Sequence, residues 1–322
     1  MRKLIGLATL LLVPLAACSQ SKPKESPALA WAYPRAASPN IPNLGPGPFK
    51  APGSARTATL AEVMDDKNPV DWFPGEHPPT PTVVAHKQKG GPTPCAECHL
   101  YDGHGFLGAA DLAGLPAAYI IEQVQAFRSG DRQSSQQPDR PDTTEMIKVA
   151  RQVSDTDLAA AAAWFAALPR HPFVRVVESD TAPKTLPSAY GLLDMAPGGG
   201  TEPLAGRIVE VTEDEKRLYL ADPHVGFVAY VPPGAVARGA ALVKSGGPNG
   251  QPCAGCHGKE LKGQGPAPPL AGRAPTYLAR MLWDIKTGAR GGPTVAQMKG
   301  PASGLNEAQI TDVVAYLASL HP

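Results

Sequence analysis

Apolar residues recur at helical spacing most clearly near the end of the chain. Ile310, Val313, Val314, Leu317 and Leu320 fall on one face of a helix that Asn306-Glu307 would open. A second helix is predicted from Ser154 to Leu168. Ser154 serves as N-cap, Asp155 and Asp157 make an acidic first turn, an alanine-rich run follows, and Pro169 stands just beyond. Between these helices, Arg207 to Val211, Leu218 to Leu220 and Phe227 to Val231 are short β-like runs separated by polar turns, and Pro232-Pro233-Gly234 closes them. They predict a small β-hairpin element. From residue 19 to about 56 the pattern vanishes: Pro23, Pro27, Pro34, Pro39, Pro42, Pro46, Pro48 and Pro52 interrupt it. Such a stretch is expected to be an extended or disordered tether. Leu4 to Val13 is apolar but too short to cross a bilayer, and no later stretch suits a transmembrane helix.

The chain repeats itself. At an offset of 158, Leu112-Ala113-Gly114 matches Leu270-Ala271-Gly272, Tyr119 matches Tyr277, and Gly130 matches Gly288. Pro116 matches Pro275 at 159. Further on the offset becomes 152, pairing Trp164 with Tyr316 and Leu168 with Leu320. The change falls in a loop of 13 residues before Met146 and seven before Met298. These two methionines correspond, each eight residues before a helix start. Met64, Met195 and Met281 have no counterpart and read as packing residues.

Composition changes this picture little. At 322 residues there is room for two domains, and a formal net charge of +1 gives no case for nucleic acid. Aromatics make up 6%, while Pro (37) and Gly (33) are abundant, so a cofactor would supply part of the core and loops would wrap it.

Cysteine changes it decisively. Four of the five cysteines form Cys95-Ala96-Glu97-Cys98-His99 and Cys253-Ala254-Gly255-Cys256-His257, two copies of the C-x-x-C-H haem attachment motif, 158 residues apart. Two thiols make thioethers to the porphyrin, and the adjacent His99 or His257 becomes the proximal iron ligand. A thioredoxin-like site would need a βαβ setting, and a zinc site a second ligand pair at finger-like spacing. Two covalently bound haem c groups are therefore expected. Met146 and Met298 are the expected distal ligands, since a thioether opposite imidazole suits low-spin iron. His77, His86 and His104 are candidate replacements for Met146, although a loop hydrogen-bonding role suits each better. His171 and His224 have no repeat partner. No paired carboxylates, nucleophile motif or phosphate loop supports another chemistry.

These motifs resemble class I c-type cytochromes, in particular two-domain dihaem cytochromes c, over about residues 75–320. The resemblance implies a mostly α fold: two tandem class I cytochrome c haem domains with a small β-hairpin element between them. It implies that a loop carbonyl orients each proximal histidine, by position Pro269 for His257 and Asp111 for His99, so the two haems would differ electronically. Leu15-Ala16-Ala17-Cys18 resembles a bacterial lipobox, implying cleavage before Cys18 and lipidation of its thiol. The expected organisation is a signal peptide (1–17), a Pro-rich tether (18–56), a first haem domain (57–170), a connecting segment (171–235) and a second haem domain (236–322). The expected function is single-electron transfer on the periplasmic side of a bacterial membrane, lipid-anchored, with the outer membrane favoured by Ser19. The partners would be a periplasmic dehydrogenase or quinol-oxidising complex and a terminal oxidase or reductase. The chain would not itself be an enzyme. Two alternatives stay open: a dihaem peroxidase, which needs an open distal position, and a dedicated cytochrome subunit of a dehydrogenase or oxidase complex.

Overall fold

The computed structural model describes residues 29–34, 43–105, 108–136, 141–188, 191–293 and 295–322. The signal peptide, Cys18 and much of the tether lie outside the described residues.

Thr59 opens α1 (Leu60–Val63) with a capping box. Its hydroxyl accepts from the Glu62 N–H, and the Glu62 carboxylate accepts from the Thr59 N–H. The first helical unit follows: α2 (Thr82–Ala85), α3 (Ala96–His99), α4 (Ala117–Ser129), α5 (Pro141–Gln152) and α6 (Asp155–Ala167). Ser154 caps α6 by accepting from the Asp157 N–H at 3.1 Å. Alanines let α6 approach its neighbours closely, and Val84, Ala113, Ala162 and Phe165 form the centre of this core.

Next comes a region of strands: β1 (Val174–Glu178), β2 (Thr181–Pro183), β3 (Thr185–Pro187), β4 (Leu193–Met195), β5 (Thr201–Pro203), β6 (Val209–Thr212), α7 (Glu215–Tyr219) and β7 (Phe227–Val231). Five of the strands form one mixed sheet in the order β1-β7-β6-β4-β3, and β2 pairs with β5. This corrects the expected small hairpin. Only β6 and β7 pair as anticipated, antiparallel, with Val209 opposite Tyr230. β1 joins in parallel from far along the chain, Val174 opposite Phe227. Leu218 to Leu220 is not a strand. Asp214 accepts from the Arg217 N–H at 3.0 Å and starts α7, which buries Leu218 and Tyr219 from a helical turn.

The second helical unit comprises α8 (Ala235–Ser245), α9 (Ala254–His257), α10 (Pro275–Thr287), α11 (Ala296–Gly304) and α12 (Glu307–Ser319). α9, α10 and α12 match α3, α4 and α6 in length and order. Gly239 lets α8 cross α12 at close range, because any Cβ there would collide with the Asp312 carbonyl. The sheet is continuous with this unit: Ile208, Ala229 and Val231 share a core with Ala235, Val243 and Val314.

The described parts of the tether are packed, contrary to the expectation of an extended segment. Ala30–Ala32 forms a 3-10 turn, with Leu29 and Ala32 buried in the second unit's core. The Tyr33 hydroxyl donates to Asp284 Oδ1 at 2.7 Å, and Glu307 Oε2 accepts the Leu29 N–H at 3.2 Å. Phe49 and Ala51 pack with Trp72 and Leu220, and Trp72 Nε1 donates to the Leu220 carbonyl at 2.7 Å. These anchors are single apolar residues without a period, so no pattern announced them. Two of the packing methionines are also corrected: Met64 and Met195 are exposed, at 51% and 42%.

Candidate functional site

Each attachment motif occupies one helical turn. The His99 N–H donates to the Cys95 carbonyl at 2.9 Å, and the His257 N–H to the Cys253 carbonyl at 3.0 Å. Residues at i, i+3 and i+4 then share a face, so both cysteines and the histidine of each motif project together. The preceding chain is pinned in each case: the Cys95 N–H donates to Val83 and the Cys253 N–H to Val243. Cys95 and Cys253 are half-buried, and Cys98 and Cys256 are exposed.

Each histidine ring is fixed by a carbonyl eleven residues on, His99 Nδ1 at 2.8 Å from Ala110 O and His257 Nδ1 at 2.8 Å from Pro268 O. A carbonyl can only accept, so Nδ1 carries the proton and Nε2 keeps its lone pair. The orienting carbonyls were expected at Asp111 and Pro269, one residue later. Those two carbonyls instead accept from Arg273, whose Nη1 reaches Asp111 O and Nε reaches Pro269 O, both at 2.6 Å. Burial holds both imidazoles below the ordinary histidine pKa, which keeps them neutral and ready to ligate. His257 Nε2 is buried without a partner. A buried lone pair with no donor is what an absent metal would leave, so this donor set fits haem iron.

Met146 lies on α5 and packs, with Cys95, against the first unit's core. Met298 lies on α11 against Ile285, Val295 and Ala302. Both are half-buried on the helix that precedes their unit's last helix.

The other histidines have partners of their own. His77 meets Asp71 at 3.1 Å, His86 meets Asn68 at 3.1 Å, and His224 meets Glu76 at 2.8 Å. His104 bonds Asp102 through Nδ1 and the His171 carbonyl through Nε2. His77, His104, His171 and His224 all line one cleft of about 390 Å³ beside the sheet. Among the described residues, no group of three or more His, Cys, Asp or Glu could hold a metal ion, and no helix is long and apolar enough to cross a membrane.

The seam between the two helical units holds polar residues that the sequence reading passed over. Arg132 and Arg290 pair backbone to backbone as an antiparallel bridge. Arg132 Nη1 donates to Gln123 Oε1 at 3.0 Å, while Arg290 Nη2 donates to Gln123 Oε1 and the Tyr119 hydroxyl, both at 2.8 Å. Burial, then repulsion from Arg290, pulls Arg132 below the usual guanidinium pKa. Arg290 Nε and Gln123 Nε2 are buried without partners. Donors outnumber acceptors here, so the seam suits an anionic group. The two arginines stand two residues after the matched Gly130 and Gly288 and bound the two loops of unequal length, so the repeat aligned them without giving them a role.

The family model described as Cytochrome c matches residues 236–321. Over 68 residues the chain is 37% identical to cytochrome c-554(548) of Halomonas halodenitrificans, a match covering 21% of this chain and 82% of that protein. It is 25% identical to cytochrome c4 of Azotobacter vinelandii over 234 residues, 70% of this chain and 84% of that one. It is 27% identical over 239 residues to the thiosulfate dehydrogenase electron acceptor of Stutzerimonas stutzeri, 72% of this chain and 83% of that protein. The segment shared with cytochrome c4 of Pseudomonas aeruginosa is 40% identical but spans only 32% of that relative.

Proposed function

The chain belongs to the cytochrome c family, and from that premise we propose that it is a dihaem electron carrier anchored by lipid on the periplasmic side of a bacterial membrane. One observation carries the reading: a cysteine pair and a carbonyl-locked histidine occur twice, in matching positions of two helical units. Bound haem supplies one-electron exchange at iron. Cys95 and Cys98 would hold one group, and Cys253 and Cys256 the other. His99 and His257 would ligate through Nε2, and Met146 and Met298 would supply their thioether sulfurs as the remaining ligands. Arg132, Arg290 and Gln123 would satisfy the carboxylates of the groups along the seam.

The donor we favour is a periplasmic dehydrogenase, with a quinol-oxidising complex as the other candidate, and the acceptor a terminal oxidase or reductase. The name of the Stutzerimonas relative supports a dehydrogenase donor. Cys18→Ser is expected to release the protein from membranes with its haem intact. Retention of that variant, absent a bound partner, would remove the anchor.

Haem stoichiometry and redox titration test the reading. Two haems per chain should survive denaturation and acid extraction, titrating as two distinct one-electron centres. Met298→Ala should lower one midpoint and abolish its thioether-to-iron absorption, because a thioether favours ferrous iron. One haem per chain would overturn the dihaem assignment. An unmoved midpoint in Met298→Ala would show that another residue is the ligand.

A further inference from the structure

The loop after each attachment helix does the same work twice. Ala110 and Pro268 hold the two histidine rings. The next carbonyl in each loop, Asp111 O and Pro269 O, accepts from the same side chain, Arg273. Arg273 is 2% exposed and belongs to the second unit, while Asp111 belongs to the first. At the repeat offset its counterpart is Leu115, so the link exists once and has no mirror image.

The surroundings add a charge asymmetry. Asp111 is buried, and its Oδ2 lies 3.0 Å from Arg273 Nη1 as an ion pair. Asp111 Oδ1 accepts the Ala113 N–H at 3.1 Å, which closes the loop on itself. Arg170 lies 3.9 Å from the same carboxylate and donates to the Ala271 carbonyl at 2.7 Å. The first loop therefore carries a carboxylate where the second carries Pro269, and both share one buried guanidinium.

We propose that Arg273 is a positioning residue that ties the two histidine-orienting loops into one body and raises both iron potentials, while Asp111 holds the first below the second. The proposal rests on the dihaem reading above. A buried cation one residue from both orienting carbonyls disfavours ferric iron on each side, because charge acts strongly where water is excluded. The Asp111 carboxylate offsets that effect mainly in its own loop. A guanidinium is required because two carbonyls in different chain segments must be met by a fixed fork, which an ammonium cannot reproduce.

The test is a redox titration of the holoprotein, with proton NMR of the axial histidine rings. Arg273→Met removes charge and fork and should lower both midpoints, each by a three- to tenfold shift in its reduction equilibrium, tenfold being about 59 mV for one electron. Arg273→Lys keeps the charge and loses the fork, so it should disturb the ring-proton shifts of both histidines more than the midpoints. Asp111→Asn keeps the loop closure, and should raise the first midpoint more than the second and narrow the gap. If Arg273→Met does not assemble, the Lys and Asn variants carry the test. Two haems with unmoved midpoints and ring protons in those variants would overturn the proposal, even with stability lowered. An equal shift of both midpoints in Asp111→Asn would overturn the asymmetry. One haem per chain would instead overturn the dihaem reading beneath it.

Discussion

Replacing Gly239 by alanine sets two effects of opposite sign against each other. Gly239 lies inside α8, where alanine is the better helix former by about 1 kcal/mol. On propensity alone Gly239→Ala would stabilise the protein. The helix crossing reverses this. The added Cβ would stand 2.6 Å from the Asp312 carbonyl carbon and 2.8 Å from Tyr316 Cβ, besides striking the Asp312 oxygen. Carbon pairs rest at about 3.5–4.0 Å, so α8 would have to withdraw by roughly one ångström. The obstacles are mostly backbone, which cannot rotate aside. Overpacking of this kind costs about 1–3 kcal/mol or more. The upper end applies here, leaving a net loss of roughly 2 kcal/mol after propensity is subtracted. The same withdrawal pulls on the paired bonds from Arg238 Nε and Nη2 to Asp312, at 2.9 and 2.8 Å. Arg238 is half exposed, so that contribution is under about 1 kcal/mol.

Denaturant unfolding of the holoprotein, followed by circular dichroism and haem absorption, measures the outcome. Gly255→Ala is the control, because nothing lies within 4 Å of a Cβ at that helical position. It should leave the midpoint unchanged or slightly raised. The Cys253 N–H donates to Val243 on α8, so displacement should reach the second attachment turn and alter its haem spectrum first. A Gly239→Ala protein as stable as the parent would refute the close-approach argument.

Trp72→Phe removes the buried bond from Nε1 to the Leu220 carbonyl at 2.7 Å, leaving that carbonyl unpaired. A loss of about 1–3 kcal/mol is expected in unfolding experiments, and a neutral result would show that water replaces the bond. His104 should make stability pH-dependent. Burial pulls its pKa down, but the hydrogen bond and charge of Asp102, then the Asp111 charge and the His171 carbonyl, outweigh this and raise it. Stability from protonated His104 is full below the unfolded value of about 6.5 and is lost as pH rises through the higher folded value. Asp102→Asn should flatten that slope, and an unchanged slope would assign it to another group.

What the sequence disclosed depended on whether chemistry or docking fixed the residues. Cys95, Cys98 and His99 were legible because one helical turn must present three specific atoms, and Cys253, Cys256 and His257 repeat the demand. The α4–α10 correspondence was legible from Tyr119 with Tyr277 and Gly130 with Gly288, and the α6–α12 correspondence because both helices bury the same face, Leu158 matching Ile310 and Phe165 matching Leu317. The sheet was not. β2, β3, β4 and β5 have three residues each, too few to show a period of two, and β1 finds its partner β7 some fifty residues away. The histidine loops were read one carbonyl too late, because Arg273 takes the carbonyls of Asp111 and Pro269. Leu29 and Phe49 were assigned to a loose tether, since isolated anchors carry no pattern.

The same long-range contacts bear on how two haem units would work together. Units joined by a linker ordinarily move relative to one another. Here Arg132 and Arg290 bridge the seam through their backbones, Gly291 N–H reaches Asp131 O at 2.6 Å, and Gln133 N–H reaches Ala289 O at 2.8 Å. Asp284 of the second unit accepts from Tyr33 of the N-terminal strap and from the Ser135 N–H of the first unit. Arg273 adds a third tie, at the histidine loops. Rotating one unit against the other would break all three at once and strand the buried Arg273 guanidinium, at a cost of about 1–3 kcal/mol for each hydrogen bond it loses. Under the dihaem reading the two irons are therefore held at one separation. Passage of an electron between them would then depend on that fixed separation and on the difference in their potentials, which Asp111 sets, and not on domain motion.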